Sequence, residues 1–198
     1  YHNMADIDRA DYKGYVILEN FQMGHFLDRK DLGNVTLNLD IDGKGFKQKY
    51  LNTTFSGDIY KINYNGYTYT NVNVNGRFKE PVFSGKVFVN DPNLFMDFDG
   101  KATLGKKDIL YDFHTKIDYA DLVKLRFNKT DTISVFKGDV RMKVAGNSID
   151  NMRGHVYITQ TSYQNNKDTY FFDDFAISSS FDDNNVRTIA INSPDIIQ

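Results

Sequence analysis

The sequence contains no cysteine, which excludes a disulfide framework, a thiolate metal site and a cysteine nucleophile. It holds two glutamates, Glu19 and Glu80, against 24 aspartates, and little alanine. The residues that favour helices are therefore sparse, while aspartate, a turn and cap former, is plentiful. The three prolines, Pro81, Pro92 and Pro194, stand isolated, and no Pro/Ser-rich linker divides the chain. No apolar run approaches the roughly 18 residues of a membrane-spanning helix; the longest are stubs such as Tyr15-Val16-Ile17-Leu18. Charge of one sign is lacking too. The formal net charge is −2 with Lys and Arg scattered, which argues against nucleic acid, whose binders carry a basic stripe. The chain opens on Tyr1 with neither an initiator Met nor a signal peptide, and it reads as a processed chain or an excised segment.

What is present points to β-structure. Aromatic residues make up 15%, and Val, Ile and Thr abound. At 198 residues the chain is long enough to bury a core, and residues 1–198 read as one continuous unit.

A short phrase recurs. Leu32-Gly33-Asn34-Val35, Phe55-Ser-Gly57-Asp-Ile59, Phe83-Ser-Gly85-Lys-Val87, Phe136-Lys-Gly138-Asp-Val140 and Met152-Arg-Gly154-His-Val156 share one form. Each is a Gly, a polar residue, a β-branched residue and then strand-like sequence, as if to mark where a strand begins again. A second series, Asp42-Gly43, Asn65-Gly66, Asn75-Gly76, Asp99-Gly100 and Ala145-Gly146, reads as the tight hairpin turns that end strands. Together they predict an antiparallel meander of about a dozen strands, on the order of 60 Å long.

Alternation is clear within the segments. Val35, Leu37, Leu39 and Ile41 share one face against Asn34, Thr36, Asn38, Asp40 and Asp42. Leu94, Met96, Phe98, Ala102 and Leu104 form a second apolar face, and Ile109, Tyr111, Phe113, Ile117 and Tyr119 a third. Val140, Met142 and Val144 form a fourth, and Phe171, Phe175, Ile177, Ile189 and Ile191 continue the pattern. Period two with one polar side means a sheet wet on one face and apolar on the other. The phase slips near Asn71, where Tyr67 and Tyr69 give way to Val72 and Val74; a β-bulge accounts for this. Two stretches break the rule: Glu19 to Gly33, with Phe21, Phe26 and Leu27, and Tyr119 to Phe127, with Leu122 and Leu125 behind an Asp121 cap. Each predicts a short helical turn.

Catalytic signatures are wanting. His2, His25, His114 and His155 show no metal-ligand spacing on one element. Asp40-x-Asp42-Gly43 and Asp97-x-Asp99-Gly100 resemble the start of a calcium loop, yet lysines follow where a bidentate Glu is needed; turn chemistry explains both. Asp173-Asp174 and Asp182-Asp183 are adjacent doublets, and adjacent strand residues point to opposite faces, so neither presents a facing acid/base pair; a solvated loop or a register-setting edge charge explains them. There is no G-x-S-x-G or phosphate-cradling loop. The chain reads as non-enzymatic, with no cofactor. What rises above this background is apolar face, which needs a partner sheet, a cap or a ligand such as lipid chains.

The segments "DLGNVTLNLDIDGKGF", "INYNGYTYTNVNVNGRF", "FSGKVFVNDPNLFMDFDGKATL", "DYADLVKLRF", "YFFDDFAISSS" and "RTIAINSPDI" together resemble the TamB branch of the AsmA-like proteins, over nearly all of Leu32 to Ile197. The resemblance is to an internal segment, without the family's N-terminal inner-membrane anchor. It implies an elongated, U-shaped sheet, a β-taco, with a hydrophobic groove. It also implies a periplasmic location in a Gram-negative envelope and a role in moving phospholipid to the outer membrane. An older proposal for the family is outer-membrane protein assembly with a β-barrel insertase of the TamA type. No catalytic residue is carried over.

The reading is therefore an all-β, elongated, curved antiparallel sheet carrying acyl chains. The expected groove residues are Val35, Leu37, Leu39, Ile41, Leu94, Met96, Phe98, Ile109, Tyr111, Phe113, Val140, Met142 and Val144. The rivals are an assembly factor that templates strands at an edge and a carbohydrate-binding β-sandwich that presents aromatics such as Tyr67 and Tyr69.

Overall fold

A computed structural model of the chain describes residues 10–26, 28–45, 50–79, 81–103 and 109–193. Leu27, Leu104 and His2, which entered the sequence reading, lie outside them. The strands are β1 (Asp11–Gln22), β2 (Leu32–Lys44), β3 (Asn52–Tyr64), β4 (Tyr67–Lys79), β5 (Val82–Asp91), β6 (Leu94–Thr103), β7 (Ile109–Asp121), β8 (Ser134–Gly146), β9 (Arg153–Asn165), β10 (Thr169–Phe181) and β11 (Arg187–Asn192). They form one open, curled antiparallel sheet in strict sequence order. Eleven strands separated by ten steps of about 4.8 Å make a ribbon about 48 Å along its arc. Helical structure among the described residues is one turn, α1 (Met23–Phe26), a 3-10 turn at Ile149–Asn151 and 3-10 conformation at Tyr50. The Asp121 cap forms as expected, its Oδ1 accepting from the Val123 and Lys124 amides, but residues 122–126 remain turns.

The curl follows from the burial pattern. On β4, Val72 and Val74 are 7% and 5% exposed, while Asn71, Asn73 and Asn75 between and beside them are exposed. No second layer of secondary structure covers the two valines among the described residues, so neighbours in the same sheet must bend over them. The rings of Phe55 on β3 and Phe83 on β5, two strands apart, lean together over Gly76 of β4 with centroids 6.0 Å apart. The apolar face is concave.

The strands begin and turn differently from the glycine reading. Of the five Asx-Gly and Ala-Gly steps, Asn65–Gly66 alone sits between two strands, with φ of 50° and 78°. Gly43, Gly76 and Gly100 lie within β2, β4 and β6, and Gly146 closes β8. Likewise Gly57, Gly85 and Gly138 fall inside β3, β5 and β8 rather than at their starts. Register explains why. Gly76 pairs with Gly85 and Gly85 with Gly100, so three glycines stand side by side on the concave face. At Gly85 and Gly100, φ is 150°, which side-chain-bearing residues avoid. A Cβ there would strike the backbone of the neighbouring strand. The repeated glycines are bends in the floor of the sheet, not its turns.

The phase slip at Asn71 is real. Asn71 takes φ of 51°, and β3 slips with β4, so the two remain in register with Ile59 and Ile62 opposite Val72 and Tyr69. Other slips, unforeseen, reassign faces, one of them at Asn20 in β1, where φ is 48° and Leu18 and Phe21 come to share a face. A register shift between Ile117 and Ala120 turns Tyr119 to the polar face opposite Phe95 and brings Ala120 inward. In β9, Gln160 at φ 51° makes a similar slip, so that Phe172, not Phe171, aligns with the inward Thr161; Phe171 is exposed.

Candidate functional site

The concave face is an apolar lane that crosses every strand. In β2, Val35, Leu37, Leu39 and Ile41 pair with Phe21, Leu18, Val16 and Gly14 of β1, and with Ile62, Ile59, Gly57 and Phe55 of β3. Leu94, Met96 and Phe98 of β6 pair with Ala120, Ile117 and Thr115 of β7. Tyr111 and Phe113 pair with Val144 and Met142, and Thr115 with Val140. Partners in an antiparallel ladder share a face, so the structure brings these twelve predicted residues onto one surface. The thirteenth, Ile109, opens β7 opposite Gly146, and its side chain lies outside what is described.

One row runs edge to edge: Gly14, Ile41, Phe55, Gly76, Gly85, Gly100, Phe113, Met142, Val156, Ile177 and Ile191. Where the three glycines remove side chains, rings lie down over the gap. A Cβ on Gly76 would sit 2.8 Å from the Phe83 ring. Phe83 meets Phe98 at 6.1 Å and Phe98 meets Phe113 at 5.1 Å. The middle of the lane is thus paved by aromatic faces in offset packing. Residues that the alternation did not single out carry much of this. Val89 joins Val72 and Val74 as the best-buried cluster, with Phe55, Val87 and Met96 against it. In "VFSGKVFVND" both parities hold apolar residues, Phe83, Val87 and Val89 against Val82 and Phe88, so the face was ambiguous.

The lane narrows to a polar network at one rim. Asp91, 5% exposed, accepts hydrogen bonds from the Tyr67 hydroxyl, the Thr70 amide and hydroxyl, and the Asn93 amide. Burial alone would raise its carboxyl; these bonds outweigh it and hold Asp91 below the usual carboxylate range. Burial pushes the neighbouring Tyr69 phenol up to about 12. Tyr67 and Tyr69 meet edge to face at 4.7 Å and are partly buried, which is packing and not the flat exposed platform a sugar would stack on.

The convex face mixes exposed apolar residues, among them Tyr15, Ile17, Tyr119 and Tyr157, with charges paired across strands: Lys13 with Asp42 at 2.8 Å, Lys86 with Asp99 at 3.4 Å, Lys143 with Asp112 at 3.8 Å. These residues are exposed, so each pair contributes little stability and mainly marks register. Asp42 and Asp99 are therefore strand residues with lysine partners, not turn formers. His114 pairs with Asp139 there at 2.8 Å, and His155 stacks beside Tyr157. Among the described residues no group of three or more His, Asp or Glu is placed to hold a metal. The twist of the sheet makes this face locally hollow where the three glycines bend it, and a concavity of about 680 Å³ lies there between Lys13, Asp42, Arg77, Lys86 and Asp99; its two lysines are already bridged.

No family model, curated protein or solved structure matches the chain.

Proposed function

We propose that this chain is a non-enzymatic lipid-transfer segment whose concave lane holds phospholipid acyl chains. The observation that carries the reading is the continuity of apolar rows across all eleven strands. Each CH₂ of a buried chain is stabilised by about 0.8 kcal/mol, so an apolar and continuous surface suffices to hold one. Transport favours many similar, weak stations over one tight pocket, and eleven near-equivalent strands offer that. The resemblance to TamB-like envelope proteins supports the same reading. That resemblance implies a periplasmic location in a Gram-negative envelope and delivery of lipid toward the outer membrane.

Photocrosslinking in cells tests this. A crosslinkable residue replaces Leu37, Phe98 or Met142, with Asn38 and Asp97 as opposite-face controls, and adducts are identified by mass spectrometry. Phospholipid adducts at the three apolar positions alone are expected. Protein adducts only, or none anywhere, would overturn the proposal.

The second reading, assembly of outer-membrane strands with a β-barrel insertase, has an observation of its own. Among the described residues β11 is an open edge, with Ile189 and Ile191 55% and 65% exposed. An unpaired edge is the element that strand addition uses. Client crosslinks confined to β11 would favour it.

A further inference from the structure

Between β7 and β8 the chain does not turn tightly. Residues 122–133 fold into a compact unit whose hydrogen bonds are almost all internal or to their own side of the sheet. Leu125 N–H donates to Asp121, Phe127 and Asn128 donate to the Leu122 carbonyl, and Leu122 N–H donates to Ser134. Asn128 bonds Ser134 Oγ at 3.2 Å, and Ser134 Oγ meets the Tyr163 hydroxyl of β9 at 3.2 Å. Asn166, in the β9–β10 turn, accepts from the Thr132 and Ile133 amides. The unit is anchored through β7 to β10.

Its tip reaches the other way. Arg126 lies against Gly66 in the β3–β4 turn, close enough that a Cβ on Gly66 would sit 2.6 Å from its guanidinium nitrogen. From β7 back to β4 is about 14 Å of sheet, so the unit lies across the ends of β5 and β6. Leu125, at its centre, is 1% exposed. Arg126 takes φ of 66°, uncommon for a residue with a side chain. Among the described residues no hydrogen bond or ion pair joins residues 122–133 to β3 or β4. Hydrogen bonds tie the unit to β7–β10, and Asp121 N–H donates to the Asn93 carbonyl of the β5–β6 turn; its reach to the β3–β4 turn is by side-chain contact, with Leu125 buried in the unit's centre.

We propose that residues 122–133 form a flap over one rim of the lane, hinged at Asp121 and Ser134, latched by Arg126 on Gly66, and governing entry of acyl chains. The proposal rests on the lipid-transfer reading. The closed flap excludes chains from the rim between β4 and β8, and breaking the Arg126 contact admits them.

The test follows uptake of a fluorescent long-chain fatty acid by the 198-residue chain in stopped flow. Arg126→Gly removes the latch and relieves the positive φ; it is expected to speed uptake about tenfold, as when a fractionally populated open state becomes the main one. Asn65→Cys with Arg126→Cys, joined by a short reducible bis-maleimide, is expected to slow uptake by about the same factor until the linker is reduced. The chain has no other cysteine to react. Uptake at one common rate in wild type, Arg126→Gly, linked and reduced proteins would overturn the flap and leave the lane standing. No uptake by any of them would overturn both.

Discussion

At the scale of single residues, two positions concentrate the physical constraints. Gly85 faces the Asn75 carbonyl and the Gly76 α-carbon so closely that any side chain must displace a neighbouring strand. Gly85→Val is therefore expected to cost about 3 kcal/mol, through backbone strain and lost pairing, read as a lower urea midpoint. Asp91 is the other. Its partners Tyr67, Thr70 and Asn93 donate to a buried carboxylate, so Asp91→Asn leaves donors facing an amide and costs about 2 kcal/mol at neutral pH. The pH dependence has a fixed sign. The folded carboxyl titrates below its unfolded value of about 3.9, so its contribution is complete above that value and is lost as pH falls through the lower, folded one. Urea midpoints of wild type and Asp91→Asn should accordingly differ most at pH 7 and converge below about pH 4.

At the scale of strands, the two faces of one ladder should respond oppositely to the same change. Leu37 of β2 is 6% exposed, whereas Ile17 of the neighbouring β1 faces outward and is exposed. Leu37→Asp places a carboxylate among Leu18, Leu39 and Ile59 and is expected to cost about 4 kcal/mol. Ile17→Asp, one register position away on the convex face, should stay within about 0.5 kcal/mol of wild type. Chemical denaturation of the two variants checks this; equal losses would mean that the concave face is not the core. Pleat slips act at this scale too. A single extra residue at Asp118 or Gln160 changes which side of the sheet the rest of the strand presents, and this is how Ala120 rather than Tyr119 comes to face the lane.

At the scale of the whole molecule, each strand touches its sequence neighbours, and the sheet has no second layer among the described residues. Stability is then close to a sum of strand and interface terms, as in repeat proteins, and need not be lost all at once. The best-buried cluster sits on β4 and β5, while β11 has six residues, five of them exposed, and one neighbour. Hydrogen exchange should be slowest at amides of β4 and β5 and fastest in β11, with the protection falling away toward β10 and β11. Uniform protection from β1 to β11 would instead indicate a single cooperative unit.

The sequence by itself determined the class of the fold, the antiparallel order and one apolar face, because the side-chain period of a strand is local and survives in the letters. Val35 to Ile41 and Val140 to Val144 needed nothing else. It could not determine what the glycines do, because Asn75-Gly76 is as good a turn locally as Asn65-Gly66; pairing with Gly85 and Gly100 made it a bend. Nor could it determine the faces of Tyr119 and Phe171, since a slipped pleat is stabilised by the partner strand and leaves the alternation on either side intact. The concavity and the flap belong wholly to the tertiary structure. Both depend on residues distant in sequence, Phe55 over Phe83 and Arg126 on Gly66, meeting across a curled sheet.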